Sequence, residues 1–453
     1  MDRGVPGQRR QMRLKGGVEA MARVVVVGGG WAGCAAALAA ARCGAQAILL
    51  EKTDMLLGTG LVGGIMNNNG RLTAALEMKA LGAGELFEAA ERVATHRRVD
   101  FPGHRHALLY DVTRIEPEVR RLLRRAGVEV RLRTRVTKVQ LAGNRIRAVA
   151  SAGGSPIPGD AFVDATGSAG PPGNCTRHGE GCVMCVLRCP AFGGRVGLTA
   201  LCGVPELQVA GPGGRVGAFS GSCELAVESL SAELVRELKG RGVVVVPLPD
   251  HGRDASKLAL KACQQYATEE YGENLVLLDT GHVKLMVPFF DLEQLRTVPG
   301  FEQARYVDPY AAGIGNSVRF TAMAPHDETL RVDGVANLFC AGEKAGPLVG
   351  HTEAICTGTL AGYNATLLAA GLEPLTLPES LAVGDAVARV TEFLREPGER
   401  TLRFTFSGSV YFRRMVDRGL YTTSEPQVQA RVAEAGLTGI FAREPACLGS
   451  RVA

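Results

Sequence analysis

Apolar positions near the start of the chain follow an order of β-branched run, glycine-rich break and alanine-rich stretch. Four consecutive valines at 24–27, led by Arg23, are too short and too uniformly apolar for a surface helix and predict a buried parallel strand. Glycines at 28, 29, 30 and 33 interrupt the run. From 34 to about 42 the chain is nearly all alanine, which predicts a closely packed helix. A second apolar run at 46–50 predicts another strand, ending on Glu51. Residues 139–149 and 161–163 predict further strands, the latter running into Asp164, Ala165, Thr166 and Gly167. In the middle of the chain, 224–239 and 256–271 carry apolar residues at helical spacing and predict amphipathic helices. Runs at 243–246, 275–278 and 283–287 predict strands between and after them. Near the end, 335–341 predicts a strand running into Gly342 and Glu343, and 351–364 a helix.

The first strand, turn and helix carry a specific chemistry. Gly28 permits a tight turn, Gly30 lets backbone approach a pyrophosphate, and Gly33 lets the helix sit close to the strand. The helix N-terminus then offers unpaired N–H groups and a positive dipole end to phosphate. Glu51, 23 residues after Gly28, can accept hydrogen bonds from ribose hydroxyls. This unit alone fits NAD or FAD. FAD is favoured by three distant segments: the strand ending in Ala165, Thr166 and Gly167; the strand ending in Gly342 and Glu343, with its following helix; and the glycines at 58, 60, 63 and 64, at the spacing where a flavin ring would pass. Trp31, Ala32, Lys52, Gly58, Val136, Gly350 and Thr352 complete the expected cofactor contacts. His351, first in the late helix, is the candidate to hydrogen-bond the flavin edge or the substrate.

With 453 residues the chain predicts two or three domains, and its 46% hydrophobic and 21% charged residues are those of an ordinary soluble protein. The net charge of +5 gives little support for a nucleic-acid partner, since much of it lies in the first twenty residues. No run of about 18 apolar residues is present, so no membrane partner and a cytoplasmic location are expected. Twelve cysteines in a reducing compartment are read as thiols, metal ligands or redox groups. Cys175, Cys182, Cys185 and Cys189, followed by Pro190, resemble the end of a ferredoxin-type run. Three readings stand for them: a redox-active pair of Cys182 and Cys185, a [4Fe-4S] or other metal site, or simple packing. Cys34 and Cys43 read as core residues.

The run 295–304, the glycine-rich 337–365 with Gly342, Gly346, Gly350, Glu353, Gly358, Gly362 and Asn364, and the N-terminal Gly-Gly-Gly-Trp-Ala-Gly-Cys are similar to the glucose-inhibited-division-A class of flavoproteins. That class includes tRNA-uridine-modifying enzymes and a folate-dependent tRNA methyltransferase. The resemblance implies FAD. It leaves tRNA open, because the cysteine-rich middle departs from the class and the long helical C-terminal domain of its uridine-modifying members finds no match.

The expected fold is α/β: a Rossmann-type FAD-binding domain of the glutathione-reductase type with an inserted α/β substrate domain. The expected division is a basic tail at 1–21, FAD-binding parts at 22–170 and 326–372, the insert at 171–325, and a C-terminal helical lid or dimer element at 373–453. No second glycine fingerprint predicts a separate NAD(P)H domain. His104 and His106 read as loop residues, Asn67 to Asn69 as amides near the flavin ring, and Tyr266, Tyr271, Phe289 and Phe290 as core more than flavin cover. Arg403, Arg413, Arg414 and Arg418 read as a charged helix face. The expected function is FAD-dependent oxidoreduction, passing hydride or electron pairs through the flavin with a small-molecule or protein donor, aided by a cysteine or Fe–S relay. Two alternatives stand beside it: folate-dependent uridine alkylation of tRNA, and an electron-relay subunit of a larger complex.

Overall fold

The computed structural model describes residues 21–167, 189–208, 218–219, 223–249, 252–253, 258, 264–287, 290–307, 318–319, 322–396 and 402–443. Its centre is a five-stranded parallel sheet of β1 (Arg23–Val27), β2 (Gln46–Leu50), β3 (Glu129–Arg131), β4 (Ala161–Asp164) and β5 (Leu338–Cys340). The strands lie in the order β5, β4, β1, β2, β3. Val27 pairs with Leu50 on one side and Asp164 on the other, and Asp164 pairs with Cys340, so all these strands end at the same edge. Strands buried on both faces explain the uniform apolar runs. In such sheets ligands bind beyond the carboxyl ends.

Four helices matter for the site: α1 (Trp31–Arg42), α2 (Gly70–Ala80), α3 (His351–Ala369) and α4 (Ala382–Arg395). Helices α1 and α3 meet through their smallest residues. A Cβ on Gly358 would lie 2.2 Å from the Ala32 carbonyl oxygen, and one on Gly362 2.1 Å from that of Ala36. The alanine-rich α1 thus follows from a helix–helix approach that excludes larger side chains. The expected helix over 351–364 continues to Ala369.

The insert forms a second, antiparallel sheet in the order Cys223–Leu225, His282–Leu285, Asn274–Thr280, Val243–Pro247. Two short ladders, 207–208 with 322–323 and 218–219 with 318–319, join its incoming and outgoing chains. The helix expected over 224–239 is instead a strand, a 3₁₀ turn and a helix (Ala232–Arg241). Ser231 caps that helix, accepting the Leu234 N–H at 3.3 Å, and Gly242 ends it at φ +78°. Of the helix expected over 256–271, the described part is a turn at Gln264–Tyr266 and a short helix at Glu269–Glu273, separated by an extended Thr268.

The C-terminal residues pack into the same core as the central sheet. Phe393, Phe404, Phe406, Tyr411 and Phe441 are buried in it. Glu77 on α2 caps α4 by accepting the Ala382 and Val383 N–H groups at 2.9 and 3.0 Å. Arg414 and Arg418 pair with the buried Asp385, and Arg403 is itself buried, so these three arginines are engaged within the fold. Among the described residues no helix is long and apolar enough to cross a membrane.

Candidate functional site

The turn between β1 and α1 is shaped by contacts that leave no space for side chains. Gly28 has φ +104°, and a Cβ on it would lie 2.3 Å from the Ala165 carbonyl oxygen. A Cβ on Gly33 would lie 1.8 Å from the Gly28 oxygen, so the helix is seated directly on the turn. Gly30 is different: a Cβ there meets nothing within 4 Å. The space beside it is a cleft of about 900 Å³, measured out to its open mouth. Cys34 is the first residue of α1 whose N–H reaches an intrahelical carbonyl, that of Gly30 at 2.9 Å. Helix geometry leaves the preceding N–H groups for a ligand.

Glu51 stands at the end of β2 on the cleft wall. Its two carboxylate oxygens accept the Gly29 N–H at 2.7 Å and the Thr53 N–H at 2.8 Å, which fixes the carboxylate while leaving lone pairs for hydroxyl donors. Gly28, Gly30, Lys52, Gly58, Val136, Thr166 and Glu343, all candidates from the sequence, line the same cleft. Arg135 and Arg195 also line it and were not expected. Lys52 donates to the Gly193 carbonyl at 3.1 Å and Arg135 to that of Gly194 at 2.8 Å. Two cations of the cleft therefore hold the turn that follows the short helix Cys189–Phe192. Only the doublet Gly193-Gly194, a turn signal after the cysteine run, hinted at this in the sequence.

Other expected residues support the cleft from behind. Ala165 and Gly33 form the seat of the turn, and Gly342, at φ +65°, lies against Ala32. Gly167 also has positive φ, at +71°. Gly350, at φ +150°, precedes α3, where a Cβ would lie 1.9 Å from Glu353 Oε2. Thr352 donates its hydroxyl to the Met66 carbonyl at 2.6 Å. Trp31 is buried edge-on to Tyr110, with centroids 6.0 Å apart. The His351 ring lies close to both, with Nδ1 3.1 Å from the Tyr110 hydroxyl. That hydroxyl donates to Gly60 O at 2.6 Å, so Nδ1 carries the proton and the tyrosine oxygen accepts it. His351 thus packs beneath the turn Gly60–Gly63, against Gly63.

Below the rim, Lys344 is fully buried against Glu206, with the fully buried Asp164 3.9 Å away. Burial raises the Asp164 carboxyl, but Lys344 and the donors of Thr199 and Thr166 outweigh it and hold it below the ordinary range. This network anchors 195–206 to the end of β4, so the segment leading into the insert is fixed at the cleft.

Several loop candidates are structural. His104 belongs to the strand His104–Tyr110 and is buried between Phe101 and Tyr266. It accepts from the Asn68 amide at 2.9 Å and donates to the Gln265 carbonyl at 3.1 Å. His106 has φ +60° in the same strand. Asn67 and Asn69 give their amides to backbone: Asn67 accepts the Leu108 N–H at 3.2 Å, and Asn69 donates to the Ser407 carbonyl at 2.9 Å. Tyr266 and Tyr271 pack in the apolar seam with Phe101, and Phe290 in the insert core. Burial lowers the His104 pKa from 6.5 to about 3. The unfolded chain therefore binds a proton that the folded one refuses between those values, and stability should fall as pH drops from 6.5 toward 3. The expected slope from this residue is about 1.4 kcal/mol per pH unit. Denaturant titrations of wild type and His104→Gln across that range should show a shallower acid loss in the variant.

Cys175, Cys182, Cys185, Phe289 and the basic tail lie outside the described residues. Cys189, half-buried, opens the Cys189–Phe192 helix. No group of three or more His, Cys, Asp or Glu that could hold a metal is found among the described residues. Cys34, Cys340 and Cys356 are buried, and burial raises each thiol well above its ordinary value, so they are packing residues.

Comparison with known proteins agrees with this architecture. The structure of GidA from Aquifex aeolicus superposes over 95% of this chain and 75% of its own, with TM-score 0.68 at 16% identity, a likeness of fold. The tRNA uridine 5-carboxymethylaminomethyl modification enzyme MnmG of Thermus thermophilus is 26% identical over 427 residues, covering 82% of this chain and 69% of that one. The methylenetetrahydrofolate–tRNA-(uracil-5-)-methyltransferase TrmFO of Koribacter versatilis is 32% identical over 93 residues, one fifth (20%) of either chain. The model of the family described as glucose inhibited division protein A matches residues 23–271 and 289–373, which include β1 to β5 and most of the insert. The chain therefore belongs to the glucose inhibited division protein A family, and its fold is that of a Rossmann-type FAD-binding domain carrying an α/β insert.

Proposed function

We propose that the protein is an FAD-dependent enzyme that modifies uridine in tRNA. The observation that carries this reading is the extent of the match: the family model spans the cleft-forming strands and the insert together, and the MnmG alignment covers 82% of the chain. A generic redox role would not require the insert to be shared. The fit of the cleft to FAD rests on geometry of this chain: space where a Cβ of Gly30 would stand, and a carboxylate fixed at the end of β2.

FAD, when bound, would supply the two-electron chemistry. The turn Gly28–Gly30 and the first N–H groups of α1 would hold its pyrophosphate, and Glu51 its ribose. Lys52 and Arg135 add positive charge to the cleft while fixing the Gly193-Gly194 turn. The positive end of α3, at Gly350 and His351, would favour negative charge on a ligand nearby. The cysteine run at 175–189 keeps its three readings: a redox-active pair, cluster ligands, or packing. An iron assay on anaerobically purified protein tests the second, because FAD without iron would eliminate the cluster.

The functional test is nucleoside analysis by mass spectrometry of tRNA from cells with and without the gene, and of tRNA incubated with purified protein, FAD and methylenetetrahydrofolate. A C5-modified uridine is expected to disappear on deletion and to reappear with protein. An unchanged nucleoside profile, with no tRNA binding by the purified chain, would contradict the assignment.

A further inference from the structure

Two charged residues sit in the insert sheet where its pattern calls for apolar ones. Glu224 pairs with Lys284 across the antiparallel ladder, so both side chains lie on one face. Their strand neighbours Cys223, Leu225, Val283 and Leu285 point the other way, into the insert core. The face bearing Glu224 and Lys284 is the one applied to the flavin-binding part. On it Val276, Leu278 and Met286 pack against Ile65 and Leu109 in an apolar seam. Lys284 is 5% exposed and donates to the Val62 carbonyl at 2.5 Å. Val62 lies in the turn Gly60–Gly63, whose Leu61 lines the cofactor cleft and whose Gly60 and Gly63 contact Tyr110 and His351.

Glu224 therefore faces the turn that separates the insert from the cleft, and Tyr110 lies within electrostatic reach of it. Glu224 Oε1 is shielded from solvent and has no hydrogen-bond partner among the described residues. A buried carboxyl oxygen without a donor is costly, and a well-packed apolar pair would serve the seam at least as well. A group kept under those conditions calls for a ligand or a proton to complete it.

We propose that Glu224 is a proton-exchanging carboxyl, acting on a substrate molecule that binds where the insert sheet meets the Gly60–Gly63 turn. Lys284 is its positioning partner, fixing the turn through Val62. As the carboxyl O–H bond breaks, the proton forms a bond to an oxygen or nitrogen of the substrate; the carboxylate then regains a proton from water, and the reverse sequence serves for proton removal. Burial raises the carboxyl, Lys284 offsets part of that, and the balance near 7 suits a group that works in both directions at neutral pH. The other groups around it are Tyr110 from the facing strand, with His351 behind it, and Cys223 and Tyr306 on the far side of the sheet. The inference rests on the tRNA reading only for the identity of the substrate, a uridine.

The test uses the FAD-loaded full chain as wild type, Glu224→Gln and Glu224→Asp. Glu224→Gln keeps the shape of the protonated acid and so should fold. Infrared titration is expected to show a protonated-carboxyl band that fades as pH rises through about 7 and is missing from Glu224→Gln. On tRNA, kcat should drop about 100-fold or more in Glu224→Gln with KM little changed. Its neutral-pH inflection should vanish, and Glu224→Asp should restore part of the rate. A merely structural residue would lower thermal stability and leave the pH profile intact, which overturns the proposal. So does the absence of a neutral-pH carboxyl band. If no tRNA is turned over, the assignment to uridine modification fails and the infrared titration alone decides the role of Glu224.

Discussion

Gly33→Ala should yield a folded chain that purifies without flavin. The added methyl would lie 1.8 Å from the Gly28 carbonyl oxygen, 2.9 Å from its carbon and 3.3 Å from the Ala165 side chain. The first two are backbone atoms of the turn and have no rotamer through which to give way. Helix α1 must lift from the turn, and with it the N–H groups that would meet the pyrophosphate. Overpacking of this kind costs about 1–3 kcal/mol of stability, which a domain of this size survives. Cofactor affinity should fall by about 100-fold or more, since helix, turn and Glu51 act on one ligand at once. Gly30→Ala is the matched control. Its Cβ meets nothing within 4 Å, so stability should stay within about 0.5 kcal/mol of wild type. Flavin binding should still weaken, because the methyl projects into the cleft. Flavin absorbance per chain and thermal melting of the two variants read both effects. Loss of stability without loss of flavin in Gly33→Ala would contradict the account.

Glu353→Ala should destabilise the protein by about 3–5 kcal/mol. Arg71 and Glu353 are an ion pair at 2.9 Å with side chains 5% and 0% exposed. Glu353 also accepts the Thr405 hydroxyl at 2.7 Å and the Phe406 N–H at 3.0 Å. Arg71 donates further to the Val349 carbonyl at 3.0 Å and to Thr405 Oγ1 at 3.1 Å. One carboxylate thus ties α2, the start of α3 and residues 405–406 together immediately behind Gly350. Removing it leaves a buried guanidinium and two donors without their acceptor, and frees the helix end nearest the cleft. Urea denaturation measures the loss. A change under about 1 kcal/mol would mean that water reaches the pair and that it does not hold α3 in place.

The strand–turn–helix wall of the cleft was legible in the sequence because it is local. Gly28, Gly30, Gly33 and Glu51 lie within one strand–turn–helix–strand unit, where spacing and geometry are the same information. Thr166 and Glu343 were legible for a related reason: each follows an apolar strand, and parallel strands end at one edge. Arg135 and Arg195 were missed because their places depend on long-range contacts, with the Gly194 carbonyl and with Glu206, which no periodicity encodes. His104 and the asparagines at 67–69 looked like loop polar groups. Their burial depends on an antiparallel pairing with register shifts between Ala94–Phe101 and His104–Tyr110, which a polar sequence does not announce. Glu224 was hidden inside an expected helix. Only its pairing with Lys284 shows that two charges share the inward face of a strand pair. The packing of the C-terminal aromatic residues into the central core was not legible, because they are sparse in the sequence and converge only in the fold.

The cleft at the ends of β1, β2 and β4 is expected to take FAD in preference to NAD as its resident ligand. Calorimetric titration of the cofactor-stripped full chain with each dinucleotide, alongside Glu51→Ala, tests it most directly. Saturable one-to-one binding of FAD, weakened at least about tenfold in Glu51→Ala through loss of a charge-assisted ribose contact, with no comparable heat from NAD, is the expected result. NAD binding as tightly as FAD, or FAD binding untouched by the loss of Glu51, would contradict it.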